Sequence, residues 1–275
     1  MGTYQQIEYE TRGRVAIVRL NRPHVFNAQS RVLREEMDAA FDVACADPGI
    51  GSIVLMGAGK HFSAGHDIGT AEELADQKAR PYAPGPYGEV DRSWDLNCEN
   101  SLRWRNLPKP TVAMVQGYCM FGGFIIATAM DLIVASDDAL FLPWHVQFFS
   151  APWELGTIRQ AKRILFENRF VPAEEAFELG LVTEVTTRET LEERTMELAA
   201  RIAENDPLVL RLTKASINNA QDLMGYTNGI RTAHGNYMHM QIKEAVHAPG
   251  AKRLKGVDLA LRHKAEDEEK AKRGG

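Results

Sequence analysis

Two glycine-bearing loops hold the residue types in this chain that could do chemistry. The first is Phe62-Ser-Ala-Gly-His66-Asp67-Ile68, which follows an apolar run at Ser52–Met56. The second is Gly117-Tyr-Cys-Met-Phe-Gly122-Gly123-Phe124, which follows another such run at Thr111–Gln116. Glycine lets backbone amides approach a ligand closely, and a helix start adds partial positive charge. Two N–H groups aimed at one point would form an oxyanion hole for a carbonyl oxygen that gains negative charge. A Gly-Gly pair before a helix also serves as a plain turn or packing device, so the pattern alone leaves both roles open. His145 titrates near neutrality and suits proton transfer, or it is a loop histidine bonded to backbone. Glu154, in Ser150-Ala-Pro-Trp-Glu-Leu-Gly156, is a second proton carrier or a surface carboxylate.

The elements that must position these groups read as alternating strands and helices. Arg14–Leu20, Ser52–Met56, Thr111–Gln116 and Leu132–Ala135 are strand patterns. Ser30 can cap a helix in which Leu33, Met37, Phe41 and Ala44 recur at helical spacing. Such alternation predicts crossover units and a largely parallel sheet covered on both faces. Pro81, Pro84, Gly85 and Pro86 mark Asp76–Ser93 as a mobile surface loop. From Pro172 onward the pattern is helical: a start at Pro172-Ala-Glu-Glu-Ala, then Glu189–Glu204, then Leu208–Ala220 behind Asp206-Pro207. Ala251–Lys272 reads as a charged, solvated or interface helix.

Composition narrows the class. The 275 residues are 44% hydrophobic and 25% charged, with 22 Gly and 12 Pro, which excludes disordered and collagen-like chains. A net charge of −5 gives no electrostatic reason to expect nucleic acid as partner. Cys45, Cys98 and Cys119 include no CxxC pair, a pattern of reducing compartments without a zinc framework. The longest low-polarity run, Gly117–Met130, is shorter than the roughly 20 residues of a membrane span, and no signal-peptide core precedes it. These features point to a cytoplasmic protein with no membrane partner.

The order of these motifs resembles the crotonase (enoyl-CoA hydratase/isomerase) superfamily along almost the whole chain. The matching pieces are Asn21-Arg22-Pro with Asn27-Ala28, FSAGHDI, KPTVAMVQGYCMFGG with Asp131-Leu-Ile-Val-Ala, Ala139-Leu-Phe141, Glu174–Val182, and Asp206-Pro-Leu with Lys214. The resemblance implies an α/β fold: a crotonase-like ββα spiral core over residues 1–200 and a C-terminal helical trimerisation region over 201–275. It implies an acyl-CoA thioester substrate, coenzyme A present only as part of that substrate, no permanently bound cofactor or metal, and a homotrimer or homohexamer. By position, the N–H groups of His66 and Gly122 would form the hole, and Val25, Ala28, Ala64, His66, Asp67 and Ile68 would line the coenzyme A groove.

The chain departs from the family where hydratases carry two glutamates, because the matching positions are Ile125 and His145. That places simple two-carboxylate hydration in doubt and leaves isomerisation, decarboxylation, carbon–carbon cleavage or binding without turnover open. The string around His66 is similar to the methylmalonyl-CoA decarboxylase branch. Ile125, Trp144, Phe149 and Trp153, with Phe121, Phe124 and Phe148 nearby, suggest a pocket for a bulky or branched acyl group. Hydroxycinnamoyl-CoA hydratase-lyases share a similar KPT…GGF stretch. Their working tyrosine matches Arg231 here, with His234 and Tyr237 about a turn beyond.

Overall fold

A computed structural model describes residues 4–143 and 156–247. Its main sheet has the order β1-β2-β3-β4-β6-β9, and a second, smaller sheet has the order β5-β7-β8. The main sheet comprises β1 (Ile7–Arg12), β2 (Val15–Leu20), β3 (Ser52–Gly57), β4 (Thr111–Val115), β6 (Leu132–Ser136) and β9 (Glu184–Thr186). Only β1 runs antiparallel to its neighbour; the other pairings are parallel, as the strand–helix alternation predicts. The small sheet is built from β5 (Tyr118–Met120), β7 (Leu140–Leu142) and β8 (Val171–Pro172).

Period-two alternation divides the core between the sheet faces. Ala16, Val18, Leu20, Ile53, Leu55, Ala113 and Val115 face one cluster, which also takes Leu33, Met37 and Phe41 from α1 (Arg31–Ala46). Val15, Ile17, Val54, Met56, Val112 and Met114 face the other, which is covered by Leu191, Ala199 and Ala203 of α8 (Leu191–Ala203). Ser30 does cap α1, its hydroxyl accepting the Leu33 N–H at 3.0 Å.

The loop expected over Asp76–Ser93 is instead largely helical. Thr70 caps α2 (Ala71–Ala79), and α3 (Gly85–Trp94) begins with Pro84 and Pro86 around its first residue. Proline is tolerated in a helix's first turn, where its missing N–H would lack an intrahelical partner anyway. A single turn of π-helix, Asp95–Glu99, then leads into α4 (Asn100–Arg105). α5 (Gly122–Ala129) is buried along its whole length. After it come α6 (Ile158–Glu167), α7 (Ala173–Glu178), α9 (Pro207–Leu223, capped by Asp206) and α10 (Tyr226–His247). Leu208, Val209, Leu212, Ile217 and Leu223 of α9 are exposed. Among the described residues no helix is long and apolar enough to cross a membrane.

Candidate active site

The two glycine loops meet edge to edge. Ser63 donates its N–H to Tyr118 O at 3.1 Å and accepts the Met120 N–H at 3.0 Å. Gly65 O accepts the Gln29 N–H at 2.8 Å, and the Asp67 N–H reaches Gln29 O at 3.0 Å, so His66 forms a parallel bridge with Gln29. In a parallel bridge the flanking residues bond the partner, and the central residue's N–H faces the opposite side. Gly122 lies close by. A Cβ on Gly122 would stand 2.9 Å from both the backbone N and the Nδ1 of His66, and a Cβ on Gly65 would stand 2.8 Å from Gly122 N. Both glycines are therefore required by close approach of backbone to backbone.

Gly122 is the first residue of α5, where an N–H has no intrahelical acceptor. Neither it nor the His66 N–H has a hydrogen-bond acceptor among the described residues. The preceding Phe121 takes φ 48 and ψ −112, a strained conformation for a non-glycine residue, at the junction that aims the helix start. Two unpaired amides side by side, one at a helix N-terminus, can stabilise a developing oxyanion.

Buried polar residues hold the loops in this register. Asn27 accepts the Arg22 N–H and donates to the carbonyls of Ala58, His61 and Phe62 at 2.8–3.1 Å. Arg22, 1% exposed, pairs with Asp67 at 2.8 Å and Glu72 at 2.5 Å and also donates to Ala28 O. The Asn-Arg-Pro and Asn-Ala motifs thus fasten the chain before α1 to the His66 loop. Asp67 is occupied by this work, also accepting from Thr70 and Gly69.

The His66 ring is oriented by the π-helical turn. Asn97 donates through Nδ2 to Ser93 O at 2.9 Å, so its Oδ1 faces His66 Nε2 at 3.1 Å and requires that nitrogen to carry the proton. Nδ1 is left as a bare lone pair, buried and without a partner among the described residues. Burial, with the nearby Arg34 charge, pushes His66 down to about 4, so the ring is neutral at physiological pH. Behind this pair, Ser93 Oγ lies 3.0 Å from Nε2 of the buried His234.

A cavity of about 150 Å³ opens beside His66. Its described lining mixes charged and polar Arg34, Glu73, Arg92 and Asn97 with aromatic Tyr82 and Tyr237. Of the aromatic lining expected from sequence, Trp144, Phe149 and Trp153 lie outside the described residues. Phe124 is fully buried in the core, and Phe121 packs beside Ala64, Tyr118, Met120 and Leu142. Ile125 is also core, 3% exposed, and is not among the described residues around this cavity.

The sequence-derived site is thus only partly brought together. His66, Gly122, Ala64 and Asp67 converge with Val25 and Ala28, since the Ala64 N–H donates to Phe26 O at 2.8 Å. Ile68 is 55% exposed at the rim. Trp144, His145, Phe149, Trp153 and Glu154 lie outside the described residues. Tyr237 reaches the cavity, His234 stands behind Ser93, and Arg231 stacks over Trp94 at 6.0 Å. Asn97 and Arg34 were missed by sequence reasoning, because neither belongs to a motif that carries a mechanism.

A parallel-strand core with adjacent amide donors on two glycine loops defines a crotonase-type acyl-thioester fold. Residues 10–256 match the family model for enoyl-CoA hydratase/isomerase. The chain is 36% identical over 250 residues to a putative enoyl-CoA hydratase, EchA13, of Mycobacterium tuberculosis, covering 82% of this chain and 77% of that protein. It is 31% identical over 233 residues to a hydroxycinnamoyl-CoA hydratase-lyase of Pseudomonas fluorescens, covering 81% of each. The crystal structure of a probable enoyl-CoA hydratase from Mycobacterium smegmatis superposes with a TM-score of 0.75 at 36% identity, over 88% of this chain and 97% of that one. The chain belongs to the enoyl-CoA hydratase/isomerase family and is an acyl-CoA enzyme of that family.

Proposed function

We propose that the protein stabilises a thioester enolate between the His66 and Gly122 N–H groups and moves the α-proton with the His66 imidazole. One observation carries the reading: two amides and the His66 Nδ1, all without a partner among the described residues, lie together at the junction of the glycine loops. The C–H bond at the acyl α-carbon breaks, its proton passes to Nδ1, and the electron pair spreads onto the thioester oxygen. The neutral ring keeps Nδ1 available, and the enolate forming beside it offsets the cost of a buried imidazolium. Hydration, isomerisation, decarboxylation and carbon–carbon cleavage all pass through a thioester enolate of this kind. It is formed in isomerisation by this proton removal and in the others by water addition or carbon–carbon scission, after which the α-carbon takes up a proton. The substrate is a non-standard acyl-CoA, with coenzyme A lying along Val25–Ala28 and Ala64–Ile68. His145 and Glu154 remain further proton carriers in this scheme. The exposed apolar face of α9 supports self-association through residues 201–275 as a homotrimer or homohexamer.

The test is deuterium incorporation at the α-carbon of bound acyl-CoA thioesters in D₂O, followed by NMR. Exchange that disappears in His66→Gln, with binding retained, is the expected result; absence of CoA-thioester binding overturns the reading. A second reading, an acyl-CoA-binding protein without turnover, is favoured by Ile125, which cannot move a proton. Tight binding with no exchange and no product across enoyl, β-keto and malonyl thioesters would select it.

A further inference from the structure

Arg34 projects from the first turn of α1 into the cavity beside His66, and it is only 6% exposed. A buried guanidinium is costly unless it is paired with an anion. Yet no carboxylate among the described residues comes within ion-pair distance of Arg34: Nη1 donates to Gln29 O at 2.7 Å, the Tyr82 side chain lies beside it, and the Glu73 and Asp38 charges act on it only from farther off.

The carboxylates around it are engaged elsewhere. Glu73 accepts the Arg31 N–H at 2.8 Å and the Gln77 amide at 2.7 Å. Asp67 pairs with Arg22, Glu89 with Arg92, Glu35 with Arg80, and Asp38 with Arg103. Five N–H donors on a fixed planar fork, one of them on a backbone carbonyl, leave an edge that suits a carboxylate. Arg92 lines the same cavity but is paired with Glu89 there, so Arg34 is the cation left for an incoming carboxylate.

Arg34 also borders a larger hollow of about 530 Å³, but Asp91, Asp95 and Glu99 line that side without an ion pair among the described residues and would repel an anion. The favourable position is therefore the His66 side. At about 150 Å³, that cavity holds roughly the volume of five waters, room for a short acyl chain and far too little for a nucleotide.

We infer that Arg34 is a specificity-determining residue that pairs with a carboxylate on the far end of a short acyl group, so that the enzyme selects carboxylated acyl-CoA thioesters over uncharged ones. The inference rests on the enolate reading above and names its substrate class. It also bears on the reaction. A carboxylate held by a guanidinium is stabilised as the anion, so this group stays on the substrate while chemistry occurs next to His66.

The test measures affinities of malonyl-, succinyl- and glutaryl-CoA against butanoyl- and pentanoyl-CoA by calorimetry, with free coenzyme A as reference. At least one carboxylated thioester should bind tenfold or more tighter than its uncharged counterpart. Arg34→Met should collapse that ratio to within about threefold, and Arg34→Lys should restore part of it. Equal binding of both classes to the wild type overturns the inference while leaving the enolate reading intact. A ratio preserved in Arg34→Met also overturns it. Should Arg34→Met fail to fold, the wild-type ratio and the Arg34→Lys variant decide. Failure of every thioester to bind removes the enolate reading and this inference together.

Discussion

Asn97 Oδ1 stands 3.1 Å from His66 Nε2, and the amide that holds it there is itself anchored on the Ser93 carbonyl. One side-chain amide therefore selects which imidazole nitrogen is bare. Replacing it by Asn97→Leu should release the ring and lower the rate of α-proton exchange about 100-fold, the usual scale for a misplaced reacting group. Thioester affinity should change far less. Nitrogen-15 shifts of His66 would check it: the wild type reports a single Nε2–H tautomer, and the variant reports a mixture.

Acidification should weaken the fold through His66. Burial holds its pKa at about 4 against an ordinary 6.5, so between those values the unfolded chain binds the proton more readily. The contribution is fully present above about pH 6.5 and is lost as pH falls towards 4. The shift corresponds to at most roughly 3 kcal/mol, and to less because the residue as a whole is only half-buried. His234, also pushed down by burial, acts in the same sense. Urea unfolding at pH 7 and pH 5 should show a smaller loss in His66→Gln than in the wild type.

Gly122→Ala should disable catalysis while preserving the fold. Gly122 is helical, so the backbone accepts alanine, but the methyl would meet His66 N and Nδ1 at 2.9 Å. Separating the two donors should cost about 100- to 1,000-fold in exchange rate. Circular dichroism and the unfolding midpoint would confirm an intact core beside that loss.

The Arg22–Asp67 pair predicts a large stability effect from a residue that touches no ligand. Both side chains are 1% exposed. Arg22→Met leaves Asp67 buried without its cation and should cost about 3–5 kcal/mol in urea unfolding. Adding Asp67→Asn should recover part of that loss, as expected when most of the penalty is an uncompensated charge.

Much of the scaffold was legible because it obeys local rules. Ser30 before Leu33, Met37 and Phe41 announces a capped amphipathic helix, and the run Ser52–Met56 announces a buried strand. Other elements obey rules that conflict. Pro84, Gly85 and Pro86 look like a loop, yet they sit where a helix start tolerates them. β1 escaped notice because only Ile7 and Tyr9 turn inward between exposed Glu8 and Glu10. The candidate site was legible only in its backbone half. His66 and Gly122 sit in loops whose glycines betray close approach, whereas Asn97 reaches His66 from a π turn 31 residues away that no spacing rule foretells. Arg34 adjoins the apolar stripe of α1, and on a sequence an arginine there reads as solvent-facing.

The bridge between Gln29 and His66 has one more consequence. A donor supplied by main chain is indifferent to the side chain hanging from it, so position 66 can exchange its substituent without disturbing the polarising pair. Descendants of such a scaffold can therefore acquire new reactions by single replacements at 66, 97 or 34, keeping the electrophile activated throughout. Divergence is cheap where the shared step is built from peptide groups and the variable step from what projects off them.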